Sequence, residues 1–418
     1  MKPALEVAGL PPRAAIIGWA LRTPLGSDIS ALHQSLLRGE RAAAPSPIFD
    51  TSSYPGSLVA AIVTPPKHSR HRRFLRRLGL LAIESVEDAL AHARSRATFP
   101  LINSERIGLF FGYGGLRAHW DDLMLAMQNQ QADADGNPTD LKNPLPATWE
   151  YGLRHLHPFW MLLHLSNNAH ALCAEQLQIQ GEGVTYGGSN AGAQALSGAI
   201  QALAAGAIDL AVVAAHDTLV EPEVLVEQGS KGVLTSANLQ TLRAPYDRAA
   251  AGFVPGEATA ALILQRPGEA ASTPLAYLQV TDGADGENGA PHAHTLARVA
   301  ARLGDLSDIQ IVDGAARAQC ALDGAERSLL AELVSNRAQL TAVQSALGQL
   351  GAAAPLVQCI TLATQLQQEV LAGVAGLQQP APGAMSVLQS PTATAAKAAL
   401  LLSMGSPGLC GAVRLELP

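Results

Sequence analysis

The residues best spaced for chemistry lie in Gly181-Glu-Gly-Val-Thr-Tyr-Gly-Gly-Ser-Asn-Ala-Gly-Ala-Gln-Ala195, where a short strand turns sharply into a small-residue helix and leaves Ser189 at the tip. A side chain at such a turn stands above a sheet, and the first helical N–H groups beside it stabilise an alkoxide, thiolate or oxyanion. Ser189 is therefore a candidate nucleophile, although a serine hydroxyl is hardly ionised near neutral pH and needs an adjacent base. A serine here also suits a cap that satisfies the orphan N–H groups of the helix. His164, His170 and His216 are near enough in sequence to be considered as that base; in apolar segments they read more simply as core or interface groups. His292 and His294 fall in a Gly/Pro-flanked loop and read as solvent-exposed.

Elements that could hold such a turn recur along the chain. Ala14–Trp19, Arg106–Gly112 and Ile208–Ala215 are apolar runs of strand length, while Leu80–Ala93 and Ala195–Ala205 carry helical spacing. Ala258–Leu264, Ile309–Val312 and Val413–Leu417 add strand character later on. Strands alternating with helices predict an α/β architecture with largely parallel pairing. Gly115–Pro158 is long and polar and reads as an excursion from the sheet; Gly376–Ala384, rich in Pro and Gly, marks a loop. With 418 residues, two core units are expected, divided as 1–250 and 251–418.

Composition narrows the function. A net charge of -7 argues against general nucleic-acid binding, which needs a basic surface. The one basic run, Lys67-His-Ser-Arg-His-Arg-Arg-Phe-Leu-Arg-Arg77, suits either a solvated helix entry or the steering of an acidic partner. Cys173, Cys320, Cys359 and Cys410 lack metal or redox spacing, so no metal site is expected. Gly112-Tyr-Gly-Gly115 lacks the spacing of a phosphate loop, and no cofactor is expected. The N-terminus has no secretory pattern and no apolar run suits a membrane span, so a cytoplasmic location is the expectation.

Several segments together carry a family resemblance. Ile16-Ile-Gly-Trp-Ala-Leu-Arg-Thr-Pro-Leu-Gly26 resembles the opening strand and turn of β-ketoacyl synthases, the condensing enzymes of fatty-acid and polyketide assembly. Arg243-Ala-Pro-Tyr-Asp-Arg-Ala-Ala-Ala-Gly-Phe-Val-Pro-Gly-Glu257 is similar to their Arg-Pro-Phe-Asp…Gly-Phe-Val-x-Gly-Glu segment, and Ser403-Met-Gly-Ser-Pro-Gly408 to their C-terminal glycine loop. The resemblance spans essentially the whole chain. It implies a thiolase-like fold, two duplicated α/β halves in a five-layered αβαβα arrangement, working as a dimer. It also implies a cysteine nucleophile that accepts an acyl chain from an acyl carrier protein, and two histidines that promote decarboxylative condensation.

Each of those positions is altered. The family's Cys-Ser-Ser-Gly-Ala-His-Ala falls on Ser189-Asn-Ala-Gly-Ala-Gln-Ala195. Its Val-Asn-Ala-His-Gly-Thr-Ser-Thr-Pro-Leu-Asn-Asp-x-x-Glu falls on Val312–Glu326, which keeps Leu322, Asp323 and Glu326 but sets Ala315 where histidine belongs. Its Lys-Ser-x-x-Gly-His falls on Gln344-Ser-Ala-Leu-Gly-Gln349, with Gln344 at the lysine and Gln349 at the second histidine. Alanine and glutamine cannot carry a proton through a reaction.

No catalytic residue is therefore expected, and Ser189, Ala315, Gln344 and Gln349 mark degenerate positions. The resemblance then implies a non-catalytic subunit like the chain length factor of a type II polyketide or aryl polyene synthase. Such a subunit would pair with an active ketosynthase and an acyl carrier protein and shape the tunnel for the growing acyl chain. The alternative is an acyltransferase or esterase that uses Ser189. A homodimer is compatible with either.

Overall fold

A computed structural model describes residues 9–67, 71–96, 102–115, 156, 158–270, 272–284, 292–405 and 408–418. Most of the expected excursion at Gly115–Pro158 and part of the basic run lie outside the described residues.

Eleven strands form one sheet. The first set comprises β1 (Arg13–Arg22), β2 (Ile107–Tyr113), β3 (Gly183–Gly187), β4 (Leu210–Thr218) and β5 (Glu257–Gln265), in the order β3-β2-β4-β5-β1. The second comprises β6 (Ala276–Gly283), β7 (Ile311–Asp313), β8 (Gln339–Thr341), β10 (Ala398–Met404) and β11 (Cys410–Glu416), in the order β8-β7-β10-β11-β6, with the two-residue β9 (Ser386–Val387) beyond β8. The directions repeat as well. In the first set β2 runs parallel to β3 and β4, β4 antiparallel to β5, and β5 antiparallel to β1. In the second, β7 runs parallel to β8 and β10, β10 antiparallel to β11, and β11 antiparallel to β6. The chain thus builds the same open sheet twice and joins the copies where β1 meets β6 antiparallel over Arg13–Ile16.

One expectation needs adjusting: pairing is mixed instead of largely parallel, since β4 and β5 run antiparallel, and so do β10 and β11, which a short connection joins without a helical crossover. The strands of the first set run on to Gln265.

The helices complete five layers. Helix α1 (Arg77–Arg96) and helix α2 (Asn168–Leu177) cover the outer face of the first set, where Leu80, Ile83, Val86 and Cys173 pack on Leu109, Phe111 and Val212. Helix α4 (His292–Ala301) and helix α5 (Cys320–Leu330) cover the outer face of the second. Between the sets lie α3 (Ala191–Ala204) and α6 (Ala354–Gln367), whose Leu196, Ile200, Leu356 and Ile360 share one core with strands of both. A helix layer touched on all sides cannot keep a polar face; of the residues of α6, only Gln367 escapes full burial. Small residues bring these helices close. A Cβ added to Gly192 would overlap the carbonyl oxygen of Ala352, so the first turn of α3 lies against the turn that opens α6.

One polar pair is enclosed in this core. Gln358 of α6 donates through Nε2 to the carbonyls of Leu402 at 3.0 Å and Gly314 at 3.4 Å and neighbours the Asp313 carboxyl at the end of β7. Asp313 Oδ1 accepts from the Val343 N–H at 3.2 Å, whereas Asp313 Oδ2 and Gln358 Oε1 are both enclosed acceptors with no donor. Burial pushes this carboxyl up to about 7.

Two measurements test these packing arguments. Gly192→Val should cost about 1–3 kcal/mol in denaturant unfolding, because neither Ala352 nor α6 has room to retreat. For Asp313, the folded state holds a proton that the unfolded chain releases near pH 4, so its contribution is complete below that pH and is lost as pH rises to about 7. Asp313→Asn should remove one proton's share of that loss, about 1.4 kcal/mol per pH unit, when melting is followed from pH 4 to 8.

Candidate functional site

Strand β3 ends at Gly187, and Gly188 adopts φ 118°, a left-handed conformation that turns the chain at once into α3. Ser189 follows, partly buried, one residue before the helix cap. The cap itself is Asn190, and its side chain makes no capping bond. Ser189 is thus not the capping residue that its position suggested, because the helix begins at Ala191. Asn190 instead donates through Nδ2 to the Cys410 carbonyl at 2.8 Å, tying the elbow to β11. A Cβ on Gly405 would overlap Ser189 Oγ, which places the hydroxyl directly against the loop after β10.

Ala315, Gln344 and Gln349 meet in one buried cluster. Ala315, fully enclosed, offers only backbone: its carbonyl accepts from Gln344 Nε2 at 3.2 Å and from Gln349 Nε2 at 3.3 Å. Gln344 Oε1 accepts in turn from the Leu350 N–H, and Gln349 Nε2 also donates to the Ala316 carbonyl. The backbone of Gln349 is clamped between Val254 and Gly256, its N–H on the Val254 carbonyl and its carbonyl on the Gly256 N–H. The Gly-Phe-Val-Pro-Gly-Glu segment therefore serves to seat the turn that carries Gln349.

The loop bearing Ala315 is held from behind. Glu326 Oε1 accepts from the Ala315 N–H at 2.8 Å and Oε2 from the Tyr246 hydroxyl at 2.9 Å, while that hydroxyl accepts from the Ala316 N–H at 3.1 Å. Asp323 Oδ2 accepts from the Tyr246 N–H at 3.0 Å. Burial pushes Glu326 up to about 7 and Asp323 to about 6. Both carboxyls thus anchor the loop from the side away from the elbow. Asp247, in the same segment as Tyr246, holds the N–H groups of Gln378 and Gln379 and so fixes the Pro/Gly-rich loop expected at Gly376–Ala384.

Sequence reasoning overlooked Arg317. Its neighbours Ala316 (φ 52°) and Ala318 (φ 53°) both adopt the left-handed conformation, which costs an alanine roughly 1–2 kcal/mol. Between them the Arg317 guanidinium lies 4.9 Å from the centre of the Phe253 ring. Its Nη1 donates to Gln349 Oε1 at 3.3 Å and to the Met404 carbonyl at 3.1 Å, one residue before the glycine that touches Ser189. Desolvation lowers its pKa. The two non-glycine left-handed sites that flank Arg317 are a structural signal that the sequence does not display.

The histidines have other partners. His216, on β4, lies between the rings of Phe111 and Tyr113, and burial pushes it down to about 4, so it is neutral. It lines a cavity of about 380 Å³ at the carboxyl ends of β2 and β4, with Phe49, Leu78, Leu163 and Thr218. His170 stacks on Phe111 and bonds through Nδ1 to Thr185 Oγ1 at 2.8 Å. Neither bonds to Ser189. His164 Nδ1 bonds to the Trp160 carbonyl. His292 and His294 open helix α4 instead of lying in a loop. In the basic run, Arg77 is committed to the buried Glu257 by a two-pronged ion pair at 2.7 Å, whereas Arg72 and Arg73 are exposed. No helix among the described residues is long and apolar enough to cross a membrane.

The Ala315 loop and the Gln349 turn thus bring backbone carbonyls and side-chain amides together in one buried network. Among curated proteins, none matches the chain. Solved structures do. A β-ketoacyl synthase from Burkholderia phymatum STM815 superposes with a TM-score of 0.77 at 19% identity, covering 97% of this chain and 100% of that one. The ishigamide ketosynthase/chain length factor and AntDE:AntF, a type II acyl-carrier protein in complex with its ketosynthase, each reach 0.79, at 16% and 15% identity, covering 98% of this chain and 100% of theirs. At such identities the likeness is one of fold. The sequence pattern of the β-ketoacyl synthase N-terminal domain matches residues 12–270, and with it the chain belongs to the β-ketoacyl synthase family.

Proposed function

We propose that this chain is a non-catalytic subunit of a ketosynthase complex, similar in role to a chain length factor. The observation that carries this reading is the Ala315 cluster. Where two histidines would exchange protons with a malonyl extender, Ala315 offers a carbonyl that two glutamine amides already hold. Amides fix geometry but do not titrate. Neither Ala315 nor Gln349 offers an imidazole that could draw off the proton of a Ser189 hydroxyl.

Pairing with a catalytic ketosynthase is supported by strand β3. It bonds to β2 on one side, no strand among the described residues lies on the other, and Gly183, Val184 and Gly187 are exposed. An open edge of five residues is a template for a strand of another chain. The partner subunit would supply the cysteine and both histidines, and an acyl carrier protein would deliver the acyl chain to it. Exposed Arg72 and Arg73 at the approach to α1 suit the acidic surface of such a carrier. Polyketide, aryl polyene and fatty-acid-like pathways all accommodate this role.

Intact-mass measurement tests the central claim. Incubated alone with acyl-carrier-protein thioesters, the chain should gain no acyl group, and Ser189→Ala should leave elongation by the assembled complex unchanged. An acyl adduct on Ser189 of the isolated chain would overturn the reading in favour of a serine acyltransferase or esterase. For the interface, Val184→Arg should weaken association with the ketosynthase at least ~tenfold in size-exclusion or sedimentation experiments, while the melting temperature of the isolated chain stays unchanged.

A further inference from the structure

A second, smaller cavity adjoins the Gln344–Gln349 turn, with a volume of about 30 Å³, room for one or two particles the size of a water molecule. Phe253, Ala316 and the two glutamines form part of its wall, and Arg41 and Arg243 are the charged residues that line it. No carboxylate stands among the described residues of that lining. Its other polar side chains are already committed: Gln344 Nε2 to the Ala315 carbonyl, Gln349 Nε2 to the Ala315 and Ala316 carbonyls, and Ser345 Oγ to the Ala342 carbonyl.

Arg41 is the more firmly placed of the two cations. Its Nη1 donates to the Leu242 carbonyl at 3.1 Å, and a Cβ on Gly376 would overlap that nitrogen and the guanidinium carbon, so the group is wedged between two loops. The Ala42 N–H beside it is held by the Ala346 carbonyl at 2.8 Å, which fixes the segment from which the side chain leaves. The Leu242 bond is the only one that the Arg41 side chain makes among the described residues, so most of its five donors remain unused. Desolvation lowers its pKa, and no described carboxylate acts against that cost. Arg243 brings a second cation to the same wall. Asp247 acts on it electrostatically, but the Asp247 oxygens are taken by the N–H groups of Ala249, Gln378 and Gln379, and the Arg243 side chain makes no hydrogen bond or ion pair among the described residues.

Two guanidiniums that share one small cavity repel each other, and an anion between them reverses the sign of that interaction. The volume decides which anion. A phosphate or an organic acid brings several heavy atoms, whereas a halide is a single sphere close to a water molecule in size. We propose that the cavity binds one chloride ion through Arg41 and Arg243. The ion ties the segment of Arg41 to the stretch that leads into Tyr246, and so braces the wall behind Gln344 and Gln349. Chloride binding here involves neither strand β3 nor Ser189, and it stands or falls apart from the subunit role proposed above.

Melting of the full chain in sodium chloride, set against sodium gluconate at equal ionic strength, reads the site in solution. A ligand held only by the folded chain stabilises it by mass action. The melting temperature should therefore rise with chloride along a saturating curve that gluconate does not reproduce, and Arg41→Gln should remove the chloride-specific rise. Identical curves in the two salts, or an Arg41→Gln curve like that of the wild type, would each overturn the proposal. Should the variant fail to fold, wild-type crystals soaked in bromide decide. An anomalous peak is expected in the cavity between Arg41 and Arg243; water alone at that place would refute the site.

Discussion

Two sheets can share a single layer of helices only if those helices are thin where they meet, and this requirement governs much of the molecule. The first turn of α3 touches the turn that opens α6 because position 192 has no side chain. The same constraint accounts for a chain with 38 glycines and only 4% aromatic residues whose core is nevertheless closely filled by Ala, Leu and Ile. It also brings function-bearing turns together. The elbow precedes α3 and the Gln344–Ala353 segment precedes α6, so the contact between the two helix starts sets Ser189 and Gln349 on the same side of the central layer.

The buried network around Ala315 is shaped by contacts that do not depend on the side chain at that position. The Ala315 loop is held by its backbone N–H on Glu326, and the neighbouring Ala316 by the Tyr246 hydroxyl. The Gln349 turn is held by main-chain bonds to Val254 and Gly256. Such a frame holds whatever side chain stands at position 315, and the amides of Gln344 and Gln349 both bond to the Ala315 carbonyl.

The sequence discloses these two layers unequally. Strands β1, β2 and β4 are long apolar runs and were plain to read, as was the elbow, whose glycines announce a sharp turn. Strand β10, though apolar, went unread, and β8 is only three residues long, too short for periodicity to reveal. The four altered positions were legible because motifs of fixed spacing flank them. Arg317 was not, since nothing local indicates that two alanines adopt left-handed backbone and aim the arginine between them inward. Nor can spacing show that Gln358 neighbours Asp313, which depends on the packing of α6 against β7 and β10.

The two ends of the eleven-stranded sheet differ in a way that bears on how many chains assemble. At one end β3 offers five residues to a newcomer; at the other, β9 offers two and forms only a short ladder with β8. A body that adds strands at both ends grows into a ribbon, whereas one with a single receptive end is finished by one addition. Of the two ends, β3 therefore leaves the longer run of backbone donors and acceptors for a further strand.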